Sequence, residues 1–197
     1  EGVSPMQKLQ MSSQKGNNVH VCAIKGNFDD AQTGVKKIFV DGAVAEALDG
    51  KNMKFSSANS INWGRLAPQI VYYVSAYCDM KNNGEDLSDG FNVVVPTGNF
   101  GNILAAYYAK KIGVPINKLI CASNANNVLT DFIRTGTYDR NRHFYTTVSP
   151  SMDILISSNL ERMLFELTGN DDKAVAAMQS ELSAVGKFTV NTDIKQK

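Results

Sequence analysis

Short apolar runs alternate along the chain with longer segments whose apolar residues recur at helical spacing. This alternation is typical of α/β folds, in which helices connect parallel strands. The runs of strand length are residues 19–24, 53–56, 91–96 and 119–122. The segments of helical spacing are residues 5–14, 31–40, 66–80, 102–112, 128–135, 153–167 and 171–185, with Gly16 as the C-terminal cap of the first. The pattern predicts a three-layer α/β fold with a mostly parallel sheet and helices on both of its faces.

A glycine-containing loop follows the apolar run at 91–96 and leads into a predicted helix. It reads Pro96-Thr97-Gly98-Asn99-Phe100-Gly101-Asn102, and we call it the glycine loop (residues 96–102). Its glycines let the backbone approach a ligand closely, and the first amides of a helix have no partner within the helix, so the loop suits a phosphate group. Its position also favours a functional role, because open α/β sheets bind ligands beyond the carboxyl ends of their strands. A strand-to-helix turn without any ligand fits the spacing equally well.

The surroundings of the glycine loop limit the phosphate compounds that it would bind. No lysine or arginine lies between Phe91 and Ala109, so neutral amides and side chains would have to hold the anion. The chain has neither the Walker pattern nor a GxGxxG sequence, which argues against a nucleoside triphosphate or a dinucleotide.

A second polar stretch follows the apolar run at 53–56 and precedes a long predicted helix. This donor segment (residues 56–65) reads Ser56-Ser57-Ala58-Asn59-Ser60-Ile61-Asn62-Trp63-Gly64-Arg65. Its hydroxyl, amide and guanidinium groups are suited to carboxylate or phosphate oxygens. The pattern alone favours a simpler interpretation, in which Ser60 or Asn62 caps the helix and Arg65 is a solvated surface cation.

The remaining conspicuous segments are interpreted structurally. Residues 149–154 read as a helix entry, with Ser151 or Asp153 as the N-cap. The three tyrosines of the predicted helix at 66–80 are interpreted as core residues. The last residues, 187–197, carry a short strand-like run and then a polar tail that we expect to fray.

Composition excludes several classes of function. At 197 residues with 43% hydrophobic residues, the chain can bury a substantial core. A net charge of +1 without long runs of like charge offers no basic surface for a nucleic acid or a membrane. No apolar run reaches the ~20 residues that span a bilayer, and the first residues have no signal-peptide character. The three cysteines form no CxxC pair and neither histidine has metal-ligand spacing, so we expect no metal site, a reducing compartment and a cytoplasmic location.

Five segments of the chain, taken in order, resemble threonine synthases. They are residues 26–32, 57–65, 96–102, 122–127 and 149–154. The resemblance implies a pyridoxal-phosphate (PLP) enzyme of the tryptophan-synthase-like fold, which is fold type II of the PLP enzymes. It implies that the enzyme converts O-phosphohomoserine and water to threonine and phosphate. It also outweighs the interpretation of the glycine loop as a turn without a ligand.

The resemblance assigns residues to two anions. In threonine synthases a Gly-Asn-Phe-Gly-Asn loop surrounds the phosphate of the cofactor. The matching cofactor-binding residues are Gly98, Asn99, Phe100, Gly101 and Asn102. The donor segment would hold the phosphate of the substrate through Ser60, Asn62 and Arg65. Both assignments agree with the chemistry of the residues, since neutral amides would hold the cofactor phosphate and the Arg65 guanidinium would hold the substrate phosphate.

The resemblance also implies a lysine that forms a Schiff base with the cofactor, in a Ser-Phe-Lys-Asp type motif. No lysine of the chain lies in such a motif, so we expect the catalytic lysine upstream of Glu1 and an inactive internal fragment of the enzyme. Residues 1–57 would be part of the smaller mobile subdomain, and residues 58–197 part of the larger PLP-binding domain. A sheet cut at both ends would leave apolar surface that favours self-association.

Two other functions stay open at this point. One is another enzyme of the same fold, either a serine or threonine dehydratase or a phospholyase related to threonine synthase. A charged fork at Arg65 favours a phosphorylated substrate, because a dehydratase has no second phosphate to hold. The other is a noncatalytic anion-binding or protein-interaction module, whose glycine loop holds free phosphate or nothing.

Overall fold

The structure, a computed structural model, describes residues 4–26, 28–96 and 98–197, and the side chains of these residues except those of Phe28 and Asp29. The chain divides into two compact units, which comprise residues 1–56 and 57–197. Thr97 of the glycine loop and Asn27 of the segment 26–32 lie outside the described residues.

Unit 1 (residues 1–56) contains three helices among its described residues. They are α1 (Pro5–Ser12), α2 (Phe28–Phe39) and α3 (Gly42–Asp49). α1 begins with a capping box, in which the Ser4 hydroxyl accepts a hydrogen bond from the Gln7 amide and the Gln7 side chain accepts one from the Ser4 amide. The C-cap of α1 is Ser13, so the predicted cap at Gly16 is wrong.

The sequence pattern does not predict α3, because its apolar stretch is short. A local signal is present all the same. The Asp41 carboxylate accepts hydrogen bonds from the amides of Ala43 and Val44, at 2.9 and 3.2 Å. An aspartate in this position is a common N-cap.

The two apolar runs of unit 1 do not form strands. Residues 19–24 and 53–56 have no strand structure, so both of these predicted strands are wrong. Their apolar side chains are exposed, since 57% of Val21 and 55% of Met53 is accessible to solvent. An apolar run becomes a strand only where a neighbouring strand pairs with it and a layer of side chains covers it.

Unit 2 (residues 57–197) is built around a pair of parallel strands. β1 (Phe91–Pro96) and β2 (Ile116–Ala122) pair with each other, with an irregularity in register after Phe91. The helix α6 (Gly101–Lys111) connects them, which is the arrangement of a βαβ unit. The predicted α/β class is thereby confirmed. Among the described residues this sheet has two strands.

The other elements of unit 2 surround this pair. They are α4 (Trp63–Leu66), α5 (Ile70–Asn82), α7 (Val128–Thr135), β3 (Thr137–Asp139), α8 (Leu160–Leu167), α9 (Asp172–Val185), β4 (Lys187–Thr189) and α10 (Thr192–Gln196). Short 3₁₀ turns occupy Ala67–Gln69 and Pro150–Met152. Leu66, Leu104 and Leu164 are fully buried in one core. The core therefore joins α4, α6 and α8, three elements that are far apart in the sequence.

The predicted helix at 153–167 is wrong in its first half, because α8 begins only at Leu160. Ser149, and neither Ser151 nor Asp153, precedes the short turn Pro150–Met152 as its N-cap. Asp153 is buried and accepts hydrogen bonds from Thr147. These contacts use the carboxylate that would otherwise cap a helix.

The tyrosines of α5 differ in burial. Tyr73 is buried and Tyr77 packs against the core, as predicted. Tyr72 is 64% exposed, so its predicted core position is wrong. Three consecutive pieces replace the single helix predicted for residues 66–80, namely α4, the 3₁₀ turn and α5.

The end of the chain is ordered rather than frayed. β4 pairs with β3 in an antiparallel sheet, and α10 follows it. The Phe188 ring stacks on the Tyr138 ring, with centroids 5.5 Å apart. Both side chains are almost completely buried, so this small sheet has an aromatic core of its own.

Candidate anion-binding site

A cleft of about 260 Å³ lies at the carboxyl end of β1 in unit 2. Its lining consists of Ser60, Gln69, Val95, Pro96, the described residues 98–103, Ser151 and Met152. None of these side chains carries a charge. The cleft therefore offers an anion hydrogen bonds from neutral groups, in a position where α/β sheets commonly bind ligands.

The N-terminus of α6 faces this cleft, and among the described residues no side chain caps it. Phe100 is the N-cap residue and makes no side-chain hydrogen bond to the helix. The first backbone bond of the helix runs from the Leu104 amide to the Phe100 carbonyl, at 3.1 Å. The amides of residues 101–103 therefore have no partner within the helix, and they lie at the favourable end of its dipole for an anion.

Phe100 has an unusual backbone conformation. Its φ is 61°, in the left-handed region, which is rare for a bulky residue and costs of order 1–3 kcal/mol. The Phe100 side chain is buried, and this packing offsets the strain. The turn at Phe100 directs the chain from β1 into α6 with its first amides at the cleft.

Both glycines of the loop pack closely against other segments. A Cβ on Gly101 would lie 2.6 Å from both Cβ and Oγ of Ser60, and one on Gly98 would lie 3.1 Å from the Ser151 carbonyl oxygen. Gly101 does not have a positive φ. The requirement at Gly101 is therefore one of space, and it brings the glycine loop into contact with the donor segment.

Of the three donor-segment residues proposed for an anion, Ser60 lines the cleft, whereas Asn62 and Arg65 are not among its described lining residues. The Asn62 side chain is committed to local structure. Its Oδ1 accepts a hydrogen bond from the Gly64 amide and its Nδ2 donates one to the Ser57 carbonyl, both at 2.9 Å. The predicted cap at Asn62 is confirmed.

The Arg65 side chain is exposed. Its Nε donates to the Ala58 carbonyl at 3.3 Å, and its backbone carbonyl accepts a bond from the side chain of Gln69, which lines the cleft. Arg65 thus contacts a residue that lines the cleft but is not among the described lining residues itself.

Two residues that the sequence interpretation missed connect the loops of the site. Asn159 has no exposed surface, and its Nδ2 donates at 2.9 Å to both the Ser60 hydroxyl and the Asn99 carbonyl. Arg162 donates to the carbonyls of Ser60 and Ile61, at 2.8 and 2.6 Å. The only sequence signal was the polar Ser157-Ser158-Asn159 run inside an apolar segment.

The segment before α8 also holds the glycine loop. The Ser157 hydroxyl donates to the Gly98 carbonyl at 3.0 Å, and the Ser157 amide donates to the Tyr138 hydroxyl at 3.0 Å. Asn99 Oδ1 is buried and has no hydrogen-bond partner among the described residues. Within the part of the chain that the structure describes, the loop thus has one unused acceptor beside amides that lack a partner within α6.

Asp153 is a buried carboxylate held by neutral donors. Thr147 donates to it through its amide, at 2.8 Å, and its hydroxyl, at 2.7 Å, and the side chains of Asn124 and Asn126 donate at 2.7 and 3.1 Å. Burial alone would raise the pKa of Asp153, but these hydrogen bonds outweigh it and hold the pKa below its ordinary value. The network fixes residues 150–152, two of which line the cleft.

Tyr73 supports the first turn of α6 from the side of α5. Its hydroxyl donates to the Asn102 carbonyl at 3.0 Å and also contacts the Asn102 side-chain oxygen. Burial raises the pKa of Tyr73 to about 12, so this hydroxyl keeps its proton at neutral pH.

Within the described ranges, no group of three or more His, Cys, Asp or Glu side chains is placed to hold a metal ion. No helix in the part of the chain that the structure describes is both long and apolar enough to cross a membrane.

No protein-family model matches the chain, but individual proteins match it over nearly its whole length. It is 46% identical over 199 residues to threonine synthase-like 1 of Homo sapiens, a match that covers 100% of the chain and 27% of that protein. It is 43% identical over 188 residues to threonine synthase of Pseudomonas aeruginosa, which covers 95% of the chain and 38% of that protein. The chain thus spans 27% to 38% of the length of these curated relatives.

Solved structures show the same relationship. A PLP-bound threonine synthase from Brucella melitensis superposes with a TM-score of 0.81 at 43% identity, over 98% of this chain and 40% of that one. Threonine synthase from yeast superposes with a TM-score of 0.79 at 40% identity, over 98% of this chain and 38% of that one. With this sequence identity and this common backbone, the chain belongs to the threonine synthase family and has its fold.

Proposed function

We propose that the complete protein is a threonine synthase, which binds PLP and converts O-phospho-L-homoserine and water to L-threonine and phosphate. The observation that carries the proposal is the uncapped N-terminus of α6 beside a neutral cleft, in a chain that is 43% identical to a PLP-bound threonine synthase. The chain covers 40% of that relative. We therefore propose that other parts of the complete protein supply the rest of the active site.

The residues proposed to bind the cofactor phosphate are Gly98, Asn99, Phe100, Gly101 and Asn102. Free amides at the start of α6, a neutral lining and a loop that excludes side chains at two glycines all fit a phosphate ester. PLP, when bound, supplies an electron sink for the carbanion that develops on an amino-acid substrate. The contribution of this chain is to bind the phosphate and so to fix the position of the ring.

Ser60, Asn62 and Arg65 are proposed to serve the substrate phosphate in three ways. Ser60 donates its hydroxyl from the wall of the cleft. Asn62 holds the turn before α4 through its two local bonds. Arg65, whose side chain is exposed and whose carbonyl accepts a bond from the lining residue Gln69, would supply a guanidinium for the phosphate.

The Schiff-base lysine is proposed to lie outside residues 1–197, and the chain alone to be inactive. The described residues that line the cleft include no lysine. Borohydride reduction of the complete protein with PLP, followed by peptide mapping, should label a lysine outside this chain. A label on Lys25, Lys51 or Lys54 of unit 1 would overturn this part of the proposal.

We propose that residues 1–57, which include the whole of unit 1, belong to a smaller mobile subdomain and that residues 58–197 belong to the PLP-binding domain. Unit 1 exposes apolar side chains such as Val21, Val40 and Met53. We propose that these are covered by other parts of the protein or by a second copy, so that the isolated chain self-associates. Light scattering that shows a monomer at high concentration would contradict this.

An activity assay of the complete protein tests the main proposal. We expect PLP-dependent release of phosphate from O-phosphohomoserine with formation of threonine. Arg65→Ala should raise KM for this substrate by about tenfold or more, because a charge-assisted hydrogen bond to phosphate is lost. Arg134→Ala, which removes an exposed arginine of α7, is the matched control and should leave KM unchanged.

A second candidate is a phospholyase related to threonine synthase. The chain is 46% identical to a relative whose name, threonine synthase-like 1, distinguishes it from the threonine synthases, and this supports a related activity as the second candidate. It predicts phosphate release from a phosphorylated amino alcohol or amino acid without threonine as a product. Product analysis therefore separates the two, and ammonia release from threonine without phosphate chemistry would overturn both.

A further inference from the structure

The side-chain amide of Asn159 has a fixed orientation. Its Nδ2 donates to the Asn99 carbonyl at 2.9 Å, and its Oδ1 accepts from Nη1 of Arg162 at 2.5 Å. A carbonyl oxygen only accepts and a guanidinium only donates, so a reversed amide would lose both bonds. The bond from Asn159 Nδ2 to the Ser60 hydroxyl therefore has a fixed direction as well.

This direction determines what Ser60 can do. Because Ser60 Oγ accepts a hydrogen bond from Asn159, its own hydrogen is directed elsewhere. Among the described residues, the one other partner of this hydroxyl is the Asn59 side-chain oxygen, at 3.4 Å, which is too long for a strong O–H···O bond. Ser60 lines the cleft and lies against Gly101. Its hydrogen is thus available beside the first amides of α6.

Arg162 adds positive charge behind this chain of bonds. Its three acceptors are neutral, namely the carbonyls of Ser60 and Ile61 and the Asn159 side chain. In the described ranges it has no carboxylate within ion-pair distance, since the ion pairs there are Lys111–Glu166 and Arg142–Asp131. An unneutralised guanidinium polarises the hydrogen bonds that follow it and strengthens the final donor.

We propose that Asn159 and Arg162 are positioning residues that hold Ser60 as a hydrogen-bond donor toward a phosphate monoester in the cleft. The inference rests on the proposed phosphate-binding function and adds to it the residues that set the proton direction. It also explains how a cleft lined by neutral side chains gains positive potential. The cation lies one layer behind the surface, on a helix distant in sequence.

The test compares phosphorylated and unphosphorylated ligands in the complete protein. Equilibrium dialysis gives the ratio of the dissociation constants of pyridoxal and PLP, and steady-state kinetics give KM and kcat for O-phosphohomoserine. We expect Ser60→Ala and Arg162→Met each to reduce the PLP preference, or to raise KM, by about tenfold. Arg134→Met removes an exposed arginine and should change neither quantity.

The double variant distinguishes a donor chain from general damage. If Arg162 acts through Ser60, adding Arg162→Met to a Ser60→Ala variant should change the PLP preference or KM by less than about threefold. Additive losses would overturn the proposal. Arg162→Lys, which keeps the charge but not the fork, serves if Arg162→Met does not fold, and it should show the same dependence on Ser60.

The two readouts also identify the source of the phosphate. A changed PLP preference with an unchanged KM places the cofactor phosphate at Ser60, and the reverse places the substrate phosphate there. Variants that alter neither readout, in a wild-type protein that does prefer PLP, overturn the donor chain alone. A wild-type protein with no preference for phosphate in either readout overturns the proposed function together with this inference.

Discussion

The two apolar runs of unit 1 and the two strands of unit 2 share an apolar pattern of strand length but differ in structure. Val21, in the run 19–24, is 57% exposed, whereas Val95 of β1 and Ile116 of β2 are 5% and 3% exposed. β1 and β2 pair with each other and are connected by α6. The difference shows that an apolar pattern indicates which residues can be buried, and that the partner decides whether they are.

The two units also differ in the sequence separation of the residues that their hydrogen bonds join. The caps of unit 1 join close neighbours, such as Ser4 with Gln7. In unit 2, Arg162 bonds to Ser60 and Ile61 across about a hundred positions of sequence. Unit 2 therefore carries contacts that hold separate segments together, and its site depends on them.

The largest expected effect tests the difference in burial. Leu104→Ala, at a fully buried position of α6, should lower the free energy of unfolding by about 2–5 kcal/mol, because it leaves a cavity in the core. Val21→Ala should change it by less than about 0.5 kcal/mol. Urea titrations followed by circular dichroism and by the fluorescence of Trp63, the single tryptophan, measure both. Equal losses in the two variants would contradict the comparison.

A smaller effect is expected at the contact between the loops. Gly101→Ala would place a Cβ 2.6 Å from Ser60, so the two segments must move apart. We expect a loss of about 1–3 kcal/mol in the free energy of unfolding, together with weaker PLP binding by the complete protein.

The matched control for that variant is Gly34→Ala in α2 of unit 1. Gly34 has no atom within 4 Å of an added Cβ, and alanine is a better helix former by up to about 1 kcal/mol. This variant should be neutral or more stable. A destabilised Gly34→Ala, or an unchanged Gly101→Ala, would contradict the view that space at Gly101 is the deciding factor.

The smallest expected effect is the pH dependence that Asp153 contributes. Its pKa in the folded chain lies below the ordinary value, so its stabilising contribution is fully present above the unfolded pKa of about 3.9 and is lost as pH falls through the folded pKa. The Asp153→Asn variant should therefore have a lower free energy of unfolding than the wild type at neutral pH. This difference should become smaller in acid. Unfolding curves from about pH 6 to about pH 2.5 measure this, with the exposed Asp89→Asn as control. A difference that is constant over this range would exclude the carboxylate as its source.

Much of unit 2 could be predicted from local sequence. β1 matches the predicted run at 91–96 and α7 matches the predicted helix at 128–135, because each has a strong apolar pattern and a defined end, such as Gly136 after α7. The start of α8 could not be predicted in this way. Residues 153–159 have the apolar spacing of a helix, but the side chains of Asp153 and Asn159 are bound to distant segments, at Asn124 and Asn126 and at Ser60.

The candidate site also has parts that could be predicted from local sequence and parts that could not. Sequence alone indicated the glycine loop and the donor segment as separate features, and it predicted the cap at Asn62 that the structure shows. It gave no reason to expect Ser60 against Gly101, or Asn159 between them. These contacts depend on how separate segments pack, and apolar spacing within one segment does not encode that.

The position of Asn159 has a consequence for protein engineering. A designer who transplants the candidate anion-binding site into a new scaffold would naturally copy β1, the glycine loop and the first turn of α6. Such a graft would omit the side-chain amide of Asn159, which donates hydrogen bonds to the Asn99 carbonyl and the Ser60 hydroxyl. The smallest portable version of this site consists of three separate stretches of chain, and the last of them must include the beginning of α8.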